Sequence, residues 1–356
     1  MRGGLVVPPG DVQDMGCAMR LLLAAALLAG VTPVLANDTT AELGTGGLVF
    51  ISTDELKMES EDLYVSPTEV RVTYQYRNLT DAKQDVLVAF PLPDITGSGD
   101  FNVAIPNYED DNLFGFTTSF NGEPVEATLH QQVFAHNLDQ TAVLMAMGVP
   151  LTPFGTRTRE AIDKLDEAQI GELLHLGLVI PMEYGDANDN WVTSYEPVWT
   201  VRSTYSWEAH FEPGEVAEVV HAYTPSVGGT VGVSFLSPPN EYGDRGAEYK
   251  QRYCTDEGFL KAVNKTIANP AEPWTAPYTE SWIDYIWSTG NNWAGPIGKF
   301  TLTIDKGDEK NLVSFCWDGK VEKISPTSFR MSATDWYPPW NRELDILILN
   351  RNDPVE

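Results

Sequence analysis

A chain of 356 residues, 42% of them hydrophobic, is long enough to bury one large core or two ordinary ones. Its formal net charge of -28 repels nucleic acid and anionic membrane surfaces, which excludes both as general partners. The aromatic content of 11% is too high for a disordered acidic tail.

The first 36 residues predict export. Met19 and Arg20 precede an apolar run, Leu21–Ala29, and Val34-Leu35-Ala36 fits the small-residue cleavage rule, so the mature chain is expected to begin at Asn37. Residues 1–18 are interpreted as an upstream mis-start. The apolar run is too short for a membrane anchor, and no later stretch approaches membrane length. We therefore expect a periplasmic or secreted protein with no transmembrane segment once the leader is removed.

Two strands near the start of the mature chain are expected to organise the fold. Val70–Arg77 alternates apolar and polar residues, which predicts a strand with one buried face. Val86–Phe90 is apolar at every position, as in a strand covered on both faces. Asn78–Lys83 supplies a turn, so we predict a hairpin. A hairpin alone is unstable in water and requires a second sheet to cover it.

Between residues 139 and 177 the pattern becomes helical. Ala142–Met147 predicts a short helix, and Arg157–Leu176 carries apolar residues at mixed three- and four-residue spacings, which predicts one or two short amphipathic helices. We expect a helical insert at about 155–177 whose apolar face packs on the sandwich. Docking into a partner's groove is the alternative.

Strong strand signals lie on both sides of the insert. Asn121-Gly122 is the strongest short hairpin signal that a sequence offers. Trp199–Phe211 predicts a long strand, Glu212–Glu215 predicts a turn, and Val216–Tyr223 predicts the returning strand.

Residues 238–246 are rich in proline and glycine and mark the expected domain boundary. Beyond it, Thr255–Lys265 and Thr279–Thr289 predict helices, the second with Trp282 and Trp287 on its apolar face, and strands follow. The predicted fold is mainly β: an antiparallel β-sandwich at 37–237 with a short helical insert, and a mixed α+β C-terminal region at 247–352.

Two cysteines remain after the leader, Cys254 and Cys316. In an exported protein an even number of cysteines favours one disulfide. A two-cysteine metal site is the rival interpretation, but neither cysteine lies in a Cys-x-x-Cys pair or near a histidine.

Four blocks of the chain together resemble one family of exported bacterial proteins catalogued as a domain of unknown function. They are NDTTAELGTGG at Asn37, RVTYQYRNLTDAKQDVLVAFPLPD at Arg71, TYSWEAHFEPGEVAEVVHAYTPSVGG at Thr204, and the stretch Ser288–Phe329. The resemblance implies export from a Gram-negative-type cell and brings no activity or catalytic residue with it. Residues 70–135 are also similar to the N-terminal β-sandwich domain of inter-alpha-trypsin inhibitor heavy chains, which implies a shared sandwich.

Signatures of common enzymes are not found in the sequence. It contains no Gly-x-Ser-x-Gly elbow, His-Glu-x-x-His, P-loop or dinucleotide fingerprint. The five histidines are scattered, at His130, His136, His175, His210 and His221. Two of them, His210 and His221, flank one predicted turn and would approach each other across a hairpin, which would suit a metal site, but ordinary strand residues are the simpler interpretation. Carboxylates are too plentiful to single out an acid/base pair.

A weak calcium loop is the only cofactor candidate. Asp186, Asn188 and Asn190 place oxygen ligands at alternate positions, but Trp191 and Pro197 stand where an EF-hand needs glycine and glutamate. An Asn/Asp turn is the simpler interpretation, so no cofactor is expected unless an irregular loop binds calcium.

Aromatic residues in the C-terminal third give the candidate binding site. Trp274, Trp336, Tyr337 and Trp340 lie in proline-rich stretches with no pattern that would bury them. Tryptophan and tyrosine pinned in this way suit a preformed binding face, with Trp282 and Trp287 buried beneath it. The alternative is that these aromatics complete the core.

The sequence therefore predicts a non-enzymatic binding or protein-interaction module of the cell envelope, with a protein or a glycan as partner. The alternative is a carbohydrate-active hydrolase that uses paired carboxylates.

Overall fold

The computed structural model describes residues 37–44, 47–97, 103–185, 190–241, 243–269 and 271–352, which belong to a single compact unit. The expected leader, 1–36, lies outside the described residues. None of the helices in the described part of the chain is long and apolar enough to cross a membrane.

The described residues are mainly β, as predicted. The strands are β1 Thr39–Gly44, β2 Gly47–Ile51, β3 Leu56–Val65, β4 Val70–Asn78, β5 Gln84–Pro91, β6 Ile95–Thr96, β7 Val103–Ala104, β8 Thr117–Phe120, β9 Glu123–Val125, β10 Thr128–Ala135, β11 Leu138–Asp139, β12 Val179–Gly185, β13 Trp191–Pro197, β14 Thr200–Phe211, β15 Val216–Tyr223, β16 Val227–Thr230, β17 Tyr278–Tyr285, β18 Ile297–Asp305, β19 Leu312–Phe315, β20 Glu322–Lys323, β21 Ser328–Trp336 and β22 Leu344–Arg351. The α-helices are α1 Thr141–Met147, α2 Thr156–Ile162, α3 Glu167–His175, α4 Arg245–Tyr253 and α5 Glu257–Asn264. Short 3-10 turns occupy Ser234–Leu236, Pro273–Thr275 and Ser288–Asn292.

Three sheets enclose one core. The first sheet has the strand order β11-β10-β14-β5-β1-β2, with β6 also on β14, and the second has the order β20-β21-β18-β3-β4-β15-β8-β9. The third sheet has the order β19-β22-β17-β16-β7. Buried side chains from all three sheets form one apolar cluster, in which Phe90, Tyr76 and Ile346 are completely shielded from water. This is the sandwich that the alternating strands predict.

The predicted hairpin at 69–93 is wrong in its pairing. Both strands form, but β4 pairs with β3 and β15, whereas β5 pairs with β1 and β14, so the turn after Asn78 crosses from one sheet to the other. The chain crosses back at 212–215, between β14 and β15. Asn78 holds these two crossings together, because its buried side-chain amide donates to the carbonyls of Ala82, Phe211 and Glu212 at 2.8, 3.1 and 3.1 Å.

The helical insert is confirmed. Helices α2 and α3 fall within the expected range, and Asp166 caps α3 in a reciprocal capping box with Gln169. Leu144 of α1 and Leu173 of α3 are buried in a second apolar cluster with Trp199, just before β14. The insert therefore packs on the end of the sandwich, as expected. The Asn121-Gly122 turn also forms, with positive φ at both residues, between β8 and β9.

The C-terminal region differs most from expectation. The predicted helix at 279–289 is wrong, because Tyr278–Tyr285 is strand β17, bound between β16 and β22. Its buried residues fall largely on alternate positions, and hydrogen bonds from two neighbouring strands outweigh the local capping pattern. Helix α5 matches its prediction. Strand β18 pairs in parallel with β3, so strands from both sides of the expected 238–246 boundary share one sheet.

The disulfide prediction is confirmed. Cys254 follows α4 and Cys316 follows β19, with 5.1 Å between their Cα atoms, inside the range that an unstrained bridge needs. The bridge ties α4 to the third sheet.

Candidate functional site

A cleft of about 230 Å³ opens between the sandwich and the C-terminal region. Five separate parts of the chain form it: the segment from β5 to β6, the loop before β8, the segment from the end of β15 to β16, helix α4 and strand β17. The lining residues are Leu92, Pro93, Asp94, Ile95, Thr96, Phe114, Tyr223, Pro225, Ser226, Gly228, Arg252, Trp282 and Asp284.

Prolines and one glycine shape the cleft. Pro91 and Pro93 end β5, since proline cannot donate to a sheet, and turn the chain along one wall. Gly228 of β16 lies opposite Trp282 of β17 in the strand register. A Cβ atom at Gly228 would lie 2.8 Å from the indole ring, so glycine is what lets the Trp282 side chain lie close against the β16 backbone.

The floor is aromatic. Phe114 and Tyr223 are nearly fully buried, and their rings meet edge to face at 6.5 Å. Trp282 is half-buried at the side of the cleft. A ligand in the cleft would therefore contact ring surfaces beneath and beside it.

The rim carries charges that are already paired. Arg252 donates to Asp345 at 2.7 Å and to Asp284 at 3.1 Å, and these two aspartates face each other across β17 and β22. The surrounding protein limits hydration of Asp284 and raises its pKa; the neighbouring Asp345 carboxylate adds to the rise, and the Arg252 guanidinium opposes it. Because two carboxylates share one guanidinium, this rim favours ligands that donate hydrogen bonds.

The opposite wall carries a second ion pair. Arg202 binds Asp94 through two nitrogens, at 3.1 and 2.9 Å. The two-nitrogen contact fixes the orientation of Asp94 at the cleft edge.

The predicted aromatic face is only partly assembled. Trp336 ends β21 and stacks on Phe300 with 4.1 Å between ring centroids. Tyr337 and Trp340 follow it in the chain and are 60% and 84% exposed. Trp274 is 40% exposed and precedes β17. Trp287, which contacts Trp336, follows the other end of that strand. An eight-residue strand spans about 24 Å, so Trp274 lies apart from the other three.

The two tryptophans expected beneath the binding face, Trp282 and Trp287, also differ in their surroundings. Trp287 is buried and lies 5.3 Å from the Trp336 ring, as expected for a layer beneath a binding face. Trp282 is only partly buried, and it lines the cleft. Ligand binding by Trp336, Tyr337 and Trp340 stays a prediction, as does any binding by Trp274.

The histidines do not assemble into a metal site. His210 pairs with exposed Asp85 at 2.6 Å, and His221 pairs with buried Asp38 at 2.9 Å. The expected approach of His210 to His221 across a hairpin is wrong, because β14 and β15 belong to different sheets. Among the described residues no three side chains of the metal-binding types cluster.

The calcium candidates Asp186 and Asn188 lie outside the described residues, and Asn190 is the first described residue after that gap. Calcium binding at this loop stays a prediction.

A cluster of hydrogen-bonded polar residues lies inside the core, and the sequence analysis did not predict it. Asp38 accepts from the Tyr76 hydroxyl at 3.1 Å and from His221 Nε2 at 2.9 Å, while Trp293 donates to its backbone carbonyl at 2.9 Å. Asn37 accepts from the Tyr74 hydroxyl. The NDTT sequence is polar and has no pattern that predicts burial. Only its tyrosine, histidine and tryptophan partners, distant in the chain, reveal that it is buried.

Glu61 completes this core cluster. Burial raises its pKa to about 8; a hydrogen bond from Asn37 opposes the rise and the Asp38 charge adds to it. The cluster is closed to solvent, since Asn37, Asp38 and Glu61 are each at most 1% exposed. It therefore does not form a site for an external ligand.

The fold and the cleft define a β-sandwich protein with a small, ring-floored cleft. The chain belongs to the family described as Domain of unknown function (DUF4424), whose model matches residues 36–347. No curated protein matches it in sequence.

Among solved structures, the chain is similar to a Legionella pneumophila protein described as a "putative nutrient binding protein", with 13% identity over 88% of this chain and 70% of that one and a TM-score of 0.42. A likeness this distant carries no argument about function. These findings do not bear on the likeness of residues 70–135 to inter-alpha-trypsin inhibitor heavy chains, which stays a prediction.

Proposed function

We propose that the protein is an exported, non-enzymatic binding module of the cell envelope, and that its ligand occupies the cleft. The observation that carries the proposal is the composition of the cleft, in which an aromatic floor lies under a rim of oriented carboxylates. Most small-molecule sites combine an apolar concave surface with a few oriented polar groups.

The chemistry of the lining indicates the class of ligand. Asp94 and Asp284 offer acceptor oxygens at the rim, while Trp282 offers a ring face. Ionised carboxylates accept hydrogen bonds and donate none, so they suit ligands with hydroxyl or ammonium groups. A volume of about 230 Å³ fits one sugar residue. We infer that the ligand is a neutral or amino sugar, either free or at the end of a glycan.

Titration calorimetry with glucose, N-acetylglucosamine and glucosamine tests the proposal. We expect at least one of these sugars to bind, and Gly228→Ala to weaken its binding at least tenfold, because the added methyl group displaces the Trp282 ring. Asp284→Asn should weaken the same binding by removing a charged acceptor.

Trp340→Ala is the matched control, since Trp340 is an exposed tryptophan outside the cleft. Its binding should equal that of the wild type. The cleft is the wrong site if Trp340→Ala abolishes binding and Gly228→Ala does not; the exposed face around Trp336 then takes its place. Absence of binding to all three sugars would refute the sugar proposal.

Cell fractionation with intact-mass measurement tests the location separately. The protein should be found outside the cytoplasm with Asn37 as its first residue. An intact cytosolic chain would overturn export.

A hydrolase remains the second candidate because Asp284 and Asp345 face each other beside the cleft. Arg252 contacts both carboxylates, which favours ion pairing over proton transfer. Release of nitrophenol from nitrophenyl glycosides, lost in Asp345→Asn, would replace the binding proposal with the hydrolase.

A further inference from the structure

Glu61 is a buried carboxylate with an incomplete set of partners. It lies on β3 and is 1% exposed. Its Oε2 atom accepts from the Asn37 side chain at 3.4 Å, but no described residue hydrogen-bonds Oε1. Burial without a full set of donors disfavours the ionised form and raises the pKa of Glu61 to about 8. A nearby cation would stabilise the ionised carboxylate.

The described groups around Glu61 do not supply that cation. Tyr74 and Tyr285 contribute hydroxyls, and Asp38 is a second carboxylate already bound by His221 and Tyr76. No lysine or arginine of the described chain hydrogen-bonds a member of this cluster. The group that would balance Glu61 must therefore come from elsewhere.

The start of the expected mature chain lies beside Glu61. Asn37 is fully buried, its carbonyl accepts from Thr289 Oγ1 at 2.9 Å, and its side-chain oxygen accepts from the Asp38 amide at 2.9 Å. The α-nitrogen of Asn37 is separated from the amide nitrogen that contacts Glu61 only by Cα, Cβ and Cγ. The backbone nitrogen at this position thus belongs to the same residue whose side chain contacts Glu61.

We propose that the α-ammonium group of Asn37, formed when a leader peptidase removes the leader, ion-pairs with Glu61 inside the closed core. Hydrolysis breaks the Ala36–Asn37 peptide bond with one water molecule. The carboxylate leaves on the leader, and the amine stays on Asn37 and takes up a proton at neutral pH. The proposal rests on export and cleavage as proposed above, and it gives the buried NDTT segment a role.

This pairing links leader removal to the stability of the folded chain. Before cleavage the nitrogen of Asn37 is an uncharged amide, and burial keeps the pKa of Glu61 at about 8, so that its carboxyl is largely protonated at neutral pH. After cleavage the same atom carries a positive charge beside the carboxylate. The precursor is therefore expected to be the less stable form.

A paired set of variants tests the ion pair. Insertion of Gly-Ser after Ala36 keeps the cleavage sequence and yields a product that begins two residues before Asn37, confirmed by intact mass. Glu61→Gln should lower the Tm of the chain that begins at Asn37 by roughly 5–10 °C, the loss expected when one partner of a buried pair is removed. In the extended chain the same substitution should change the Tm little or raise it. Asp62→Asn, on the exposed face of β3, is the control and should leave both chains unchanged.

Amine acylation gives an independent readout. In the folded mature protein at neutral pH, the Asn37 amine should resist an acylating reagent that labels Lys164, whose side chain is 75% exposed. Unfolding in urea should make the amine reactive.

Equal effects of Glu61→Gln in both chains, or labelling of the Asn37 amine at the rate of Lys164, would overturn the proposal. A chain released at Asn37 by a site-specific protease supports the same measurements even if fractionation finds no export. Failure of the ion pair and failure of the location are thus told apart.

Discussion

The disulfide between Cys254 and Cys316 should contribute several kcal/mol to the stability of the folded chain. The two cysteines are 62 residues apart. In the chain-entropy treatment, a loop of this length removes about 14 cal/mol/K from the unfolded state, or about 4 kcal/mol at 25 °C. The folded state should change little when the bridge is absent, because α4 also contacts β22 through the Arg252–Asp345 pair.

Urea unfolding of the Cys254→Ala/Cys316→Ala double variant measures this contribution. With a urea dependence of about 3 kcal/mol per M, we expect the midpoint to fall by roughly 1 M. The slope should rise somewhat, because the unbridged unfolded chain exposes more surface. Wild-type protein unfolded in a reductant should match the variant. A loss below about 1 kcal/mol would refute the reasoning, since it would mean that the bridge does not restrict the unfolded chain.

Two further predictions concern Gly298 and Glu280. Gly298→Ala should destabilise the protein by about 1–3 kcal/mol in urea unfolding, because its Cβ would lie 2.6 Å from the Glu59 carbonyl at the β3 bulge. Gly171→Ala, in α3 with open space around it, is the control and should stabilise the protein by up to about 1 kcal/mol. A loss of stability in Gly171→Ala would contradict the argument. For Glu280, which accepts from the Tyr249 hydroxyl at 2.6 Å, burial raises the pKa above 4.5. Its contribution to stability is complete below pH 4.5 and is lost as pH rises through the folded pKa. Glu280→Gln should therefore make the free energy of unfolding less dependent on pH between 4.5 and the folded pKa. An unchanged pH dependence would show that Glu280 does not titrate in that interval.

Local sequence patterns predicted most of the elements but not how the strands pair. Alternation located β4, β14 and β15, and the Asn121-Gly122 signal located a tight turn. The Asn121-Gly122 hairpin paired as predicted, but the pairings proposed across the turns at 78–83 and 212–215 failed. A turn within one sheet and a crossing between two sheets carry the same polar residues. What distinguishes the crossing at Asn78 is a set of hydrogen bonds to Phe211 and Glu212, which are more than a hundred residues away.

Strand β17 shows that one local sequence can fit two kinds of secondary structure. Its sequence satisfies both a helical pattern and an alternating one. The choice is made by β16 and β22, which bind it from both sides.

The cleft could not have been found from sequence. Asp94, Gly228, Arg252 and Trp282 come from four elements, and none of them belongs to a motif. The aromatic residues that composition did single out are divided by the length of β17. Composition identifies residue types that suit binding, but only the strand order decides which of them meet.

The parallel contact between β3 and β18 has a kinetic consequence. Leu63 and Leu302 are neighbours in that register although about 240 residues lie between them. Until the last third of the chain arrives, one edge of β3 has no partner, and an unpaired edge is a template for association with other chains. Folding rates fall as sequence separation between contacts grows. A nascent chain of this protein therefore cannot complete its central sheet until residue 305 is available. During that interval the exposed edge of β3 has to be kept from pairing with other chains.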